Sequence, residues 1–164
     1  MKIKLTKIPY AVFAVAALAI VPARATPPSG VSVTALAPVA QFDEINANAM
    51  IEGWGAKIKT KGLSDLHIVE VTIQPGGTTG WHSHLGPSFL VVKSGAATLY
   101  HGDDPACTPH VLSTGSSLFE PGGDVHVVRN EGSVPLVNVV IQLLPSGTSR
   151  AISEPNPGYC PTIN

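Results

Sequence analysis

No uninterrupted run of Lys or Arg occurs in this sequence. The ten Lys and Arg residues are scattered, so the counterion release that drives nucleic-acid binding has no source, and neither has attraction to anionic lipid. Charged residues of both signs make up only 13% of the 164 residues and aromatics only 5%. No internal repeat, coiled-coil heptad, nucleotide-binding glycine loop or N-x-S/T acceptor occurs, which sets aside repeat arrays, nucleotide enzymes and N-glycosylation. The 44% hydrophobic content nevertheless supports one compact domain with a sizeable core. It is also too high for the disorder that sixteen glycines and fifteen prolines could otherwise suggest.

Residues 1–25 read as a secretory signal peptide. Lys2, Lys4 and Lys7 precede an apolar run from Tyr10 to Val21, and Ala23-Arg24-Ala25 offers small residues to a peptidase. That run of 12 residues is too short for a membrane-crossing helix, which needs about 20. Cleavage would leave 6 basic residues against 11 acidic ones, a net charge of −5. The expected location is therefore secreted or periplasmic, with no membrane association after cleavage, and the partners are small molecules or proteins. In such an oxidising compartment the two cysteines, Cys107 and Cys160, are expected to form a disulfide that ties the C-terminal tail to a mid-chain loop.

The remainder reads as all-β. Residues 26–50 form an extended N-terminal arm in which Val31 to Leu36 alternates like a strand; Phe42 to Met50 has at most the look of a single helical turn. Residues 51–145 are a series of short strand-like runs, clearest at Leu66–Ile73, Phe89–Lys93, Ala96–His101, Ser117–Glu120, Val125–Arg129 and Val134–Leu144. Turn residues such as Pro75-Gly76-Gly77 and Pro121-Gly122-Gly123 separate them, the pattern of a sandwich or barrel. Residues 146–164 are a polar, Pro-rich tail.

His82 and His84 stand two residues apart on an extended chain, so both imidazoles point to one face while Ser83 points away. Antiparallel pairing with the run around His126 would bring a third imidazole beside them, and three nitrogens suit a divalent transition ion. Glu120 lies six residues before His126 across a turn. It is a candidate acid beside the site or a displaced ligand, with a solvated carboxylate at a strand end as the alternative; Glu70 has a weaker form of the same claim. His67, His101 and His110 have no partners at ligand spacing, and Trp81, Phe89, Tyr100 and Phe119 are core or pocket residues.

These residues resemble the two motifs of the cupin superfamily. Gly76, His82, His84 and Gly95 fit the first, and Gly115, Pro121, Gly123, His126 and Asn130 fit every fixed position of the second. Ser88 stands where the first motif has its glutamate. The resemblance implies a small antiparallel β-barrel (double-stranded β-helix, or jelly roll) with His82, His84 and His126 holding iron, manganese, nickel, copper or zinc. It implies a structural role for Asn130 and a possible homodimer. It is strongest to three-histidine cupins, which include dioxygenases acting on thiols and diketones. A non-catalytic module that captures a small ligand or a metal is the alternative reading, and a germin-like manganese enzyme fits less well without the glutamate.

Overall fold

The computed structural model describes residues 25–163, so the signal-peptide reading falls, Ala25 apart, outside the described residues. Thirteen strands follow in chain order. They are β1 (Ser29–Ala35), β2 (Ala40–Phe42), β3 (Asn46–Ile51), β4 (Trp54–Lys59), β5 (Ser64–Thr78), β6 (His82–Ser83) and β7 (Ser88–Ser94). The rest are β8 (Ala96–His101), β9 (His110–Ser113), β10 (Ser117–Glu120), β11 (His126–Arg129), β12 (Leu136–Pro145) and β13 (Ile152–Ser153). Among the described residues there is no helix, and so none that could cross a membrane. The helical turn anticipated between Phe42 and Met50 is replaced by the end of β2 and by β3, because β3 pairs with β4 in a hairpin. Pairing across the chain overrides a weak local preference.

Eleven strands form one antiparallel sheet in the order β10-β7-β12-β5-β11-β6-β13. Strands β1 and β2 lie on the free side of β5, and β9 and β8 join through β11. The sheet curls into a nearly closed jelly-roll barrel, as expected for the all-β reading. Its central strand, β5, carries Val69, Val71 and Ile73 on the inward face, the same alternation that puts Leu90 and Val92 of β7 and Leu136 and Val140 of β12 inside. Each such side chain contributes about 1.5–3 kcal/mol through burial.

The strand β5 bends at Pro75-Gly76-Gly77 before reaching β11 at Thr78. A Cβ on Gly77 would come within 2.8 Å of the Ser29 and Gln74 carbonyl oxygens, so only glycine lets the arm and the bend pass. Asn130 secures the corner: its Nδ2 donates to the Ile73 and Val134 carbonyls, both at 2.8 Å, and its Oδ1 accepts from Gly132 N at 3.0 Å. The residue is 1% exposed, which bears out its structural role. Asn130→Ala would bury two carbonyls without partners and is expected to lower unfolding stability by about 2–4 kcal/mol, measurable by urea titration. A loss below 1 kcal/mol would remove Asn130 from this role.

Cys107 and Cys160 form a disulfide with a Cα–Cα distance of 5.4 Å across 53 residues of sequence. It pins the tail against a second small core of Trp81, Tyr100 and Val127. Of the aromatics, Trp81 and Tyr100 are thus core. Phe89 and Phe119 pack on each other, centroids 5.0 Å apart, on the exposed outer face.

Candidate metal centre

Three pairings assemble the site. His82 in β6 is the register partner of His126 in β11, and His84 follows His82 by two residues. At the far end of the barrel sheet, Glu120 of β10 is the register partner of Ser88 of β7. Directly opposed residues in an antiparallel pair project from the same face, so Glu120 points where a side chain at position 88 would point. The Gly123 N–H donates to the His84 carbonyl at 2.8 Å and locks the Pro-Gly-Gly turn onto the histidine loop.

The result brings together His84, Glu120 and His126, whose ligating atoms all lie within 4.8 Å of one another. Glu120 Oε2 is 3.3 Å from His84 Nε2, and Oε1 is 3.1 Å from His126 Nε2. His84, His126 and Glu120 are 1%, 2% and 8% exposed. His82 stands beside this group rather than within it, its ring centroid 4.4 Å from that of His126 but 6.5 Å from that of His84.

A carbonyl oxygen can only accept, so each neighbouring Nδ1 must carry the proton. His82 Nδ1 donates to Gly80 O at 3.0 Å, His84 Nδ1 to Gly86 O at 2.7 Å and His126 Nδ1 to Asp124 O at 3.0 Å. All three Nε2 atoms are thereby left as potential ligands, the arrangement by which backbone partners orient metal-binding imidazoles. His84 Nε2 and Ser88 Oγ are both buried, with the Glu120 carboxylate as their polar neighbour. Two imidazole lone pairs facing two carboxylate oxygens need a positive charge between them, whether a proton or a metal ion. The donor set of two nitrogens and one oxygen fits a divalent first-row metal.

The electrostatics of the group follow from burial and from the Glu120 carboxylate. Burial, reinforced by His126, pushes His82 down to about 4, so it is neutral at physiological pH and free to ligate. Burial acts against the charge of Glu120, but the imidazoles of His126 and His84 outweigh it and hold the carboxyl well below the usual range. His84 moves upward, since the Glu120 carboxylate outweighs the effect of burial.

The remaining candidates separate cleanly. Glu70 faces out of the barrel and takes Lys93 Nζ at 2.6 Å, so it has no part in the site. The alternation that turns Val69 and Val71 inward turns Glu70 away. His101 and His110, solitary in sequence, meet across β8 and β9 with ring centroids 5.4 Å apart. Beside His84 and Glu120 is a cavity of about 200 Å³. Its wall includes Val71, Ile73, Leu90 and Val140, and its polar groups include Ser88, Asn138, Gln142 and Arg150. Sequence spacing gives no hint of Arg150, which reaches the cavity from beyond the last long strand.

A family model described as a cupin domain matches residues 69–142. No curated protein sequence matches the chain. Among solved structures, a cupin superfamily protein from Desulfitobacterium hafniense aligns at 17% identity, covering 76% of this chain and 84% of that one, with a TM-score of 0.48. The DMSP lyase of Ruegeria pomeroyi aligns at 21% identity over 53% of this chain and 42% of that one, TM-score 0.47. The polyketide cyclase of Streptomyces resistomycificus aligns at 19% identity over 58% and 66%, TM-score 0.47. The chain thus spans less than half the length of the DMSP lyase.

Proposed function

Because this chain carries a cupin domain over residues 69–142, we propose that it is an exported metal-dependent enzyme of the oxygenase type acting on a small organic molecule. The single observation that carries this reading is the convergence of His84, Glu120 and His126, with His84 and Glu120 in the wall of the adjoining cavity. Two imidazoles and one carboxylate are the donor set of non-haem iron(II) oxygenases. His82, neutral and with its ring centroid 4.4 Å from that of His126, flanks this set from the His126 side.

When bound, the ion supplies Lewis acidity and, as iron, access to oxygen chemistry. The protein's own residues do the rest. Glu120 would offset one of the two positive charges of a divalent ion, the backbone carbonyls of Gly80, Gly86 and Asp124 hold the imidazoles in one tautomer, and Val71, Ile73, Leu90 and Val140 give the adjoining cavity an apolar wall. The N-terminal charge and apolar pattern supports export, and the disulfide suits an oxidising compartment.

Elemental analysis of protein purified without a nickel column tests the metal. About one equivalent of iron or another first-row metal is expected in the wild type. His84→Ala and His126→Ala should each lose it, and His82→Ala should lose less, because His82 stands outside the converged group. Background metal in the wild type sinks the reading. Oxygen consumption by iron-loaded protein across thiols, diketones and flavonols then tests turnover. Full occupancy with no consumption, together with a ligand-dependent rise in melting temperature, identifies a binding module instead.

A further inference from the structure

We infer that Arg150 anchors the carboxylate of a small organic acid inside the cavity beside His84, Glu120 and His126. The inference rests on reading that cavity as the substrate pocket of the proposed metal centre.

Arg150 lies in the segment between β12 and β13, half-buried, and lines the cavity. Its aim is set by a reciprocal clamp with Gln142, an inward-facing residue of β12 that is 4% exposed. Arg150 Nε donates to Gln142 Oε1 at 2.9 Å, and Gln142 Nε2 donates to the Arg150 carbonyl at 3.2 Å. That uses one of the five guanidinium N–H groups and leaves the terminal pair to bind elsewhere.

Among the described residues, no carboxylate lies within ion-pair distance of this guanidinium. Neighbouring acids are otherwise engaged: Glu120 faces the imidazoles, and Glu154 accepts from Ser83 Oγ at 2.7 Å. Burial, with no acid to counter it, pulls the Arg150 guanidinium downward from its ordinary value. A desolvated cation without an acidic partner is costly unless a ligand completes it. A further polar atom in a residue lining the same cavity, Asn138 Oδ1, is buried without a hydrogen-bond partner.

The charges add in one direction. A divalent ion against the single carboxylate of Glu120 leaves one positive charge, and Arg150 supplies another. The planar guanidinium fork matches a carboxylate, while Val71, Ile73, Leu90, Val128 and Val140 offer an apolar surface to the rest of the molecule. At about 200 Å³ the cavity is smaller than the roughly 300 Å³ where pockets for drug-sized ligands begin. The substrate class is therefore a short-chain or single-ring carboxylic acid.

The test is thermal unfolding of the full metal-loaded chain with acetate, butyrate or benzoate, each against its amide, with inorganic phosphate as a further arm. At least one acid should raise the melting temperature while its amide does not. Arg150→Gln should weaken the dissociation constant for that acid by about ten- to hundredfold, the loss of a charge-assisted hydrogen bond, and leave amide binding unchanged. Arg150→Lys should recover part of the preference. Metal content, measured on the same samples, separates the two readings: wild-type protein that holds no metal but prefers acid to amide through Arg150 keeps the anchor and loses the metal centre. If no acid outperforms its amide in the wild type, if Arg150→Gln keeps the preference, or if phosphate stabilises as strongly as the best acid, the assignment fails.

Discussion

Glu120→Gln is expected to raise the dissociation constant for the metal by at least about a hundredfold, the upper end of what even an indirect partner of a metal site is worth. The glutamine keeps the size of the side chain but removes the charge that His84 Nε2 and His126 Nε2 face at 3.3 and 3.1 Å. Because Glu120 and Ser88 are register partners on neighbouring strands, moving the carboxylate across the pair should restore what the single change removes. Ser88→Glu combined with Glu120→Ser is therefore expected to recover most of the metal affinity, read by titration of metal-free protein with iron(II) or manganese(II). Ser88→Glu alone should not improve binding, since it sets two buried carboxylates against each other. Undiminished affinity in Glu120→Gln together with its loss in His82→Ala would instead establish a three-histidine ligand set.

Removing the disulfide should produce the largest change in stability. Cys107→Ser/Cys160→Ser frees a loop of 53 residues, which in the chain-entropy model costs about 4 kcal/mol. For a chain of this size that corresponds to a fall in melting temperature of roughly 8–16 °C, and reduction of the wild type with dithiothreitol should reproduce it. The structure also says where the damage goes. The tail supplies β13, whose Ser153 pairs with His82, and Ile163 O accepts from Trp81 Nε1 at 2.9 Å. His82 therefore loses its outer support, whereas Glu120 on β10 and His126 on β11 are held by barrel strands. Metal content at 25 °C should survive in the double variant. Its loss along with the melting shift would show that the tail, rather than the barrel, holds the ligands.

Much of this molecule is legible along the chain. Alternating Val, Ile and Leu between Gly- and Pro-rich turns specifies the strands, and a His-x-His spacing places His82 and His84 on one side because side chains alternate with a period of two. The second motif singles out His126 and Asn130, and two cysteines in a chain that reads as exported predict their own pairing. What spacing cannot carry is which residue lies opposite which. Register is a property of two strands distant in sequence, so Glu120, a candidate acid or displaced ligand from the sequence, could be set opposite Ser88 only once β7 and β10 were paired. The arrival of Arg150 from the tail and the meeting of His101 with His110 depend on the same kind of contact. The segment from Phe42 to Met50 became strand for that reason as well: local preference proposes a conformation, and hydrogen bonding to a distant partner decides it.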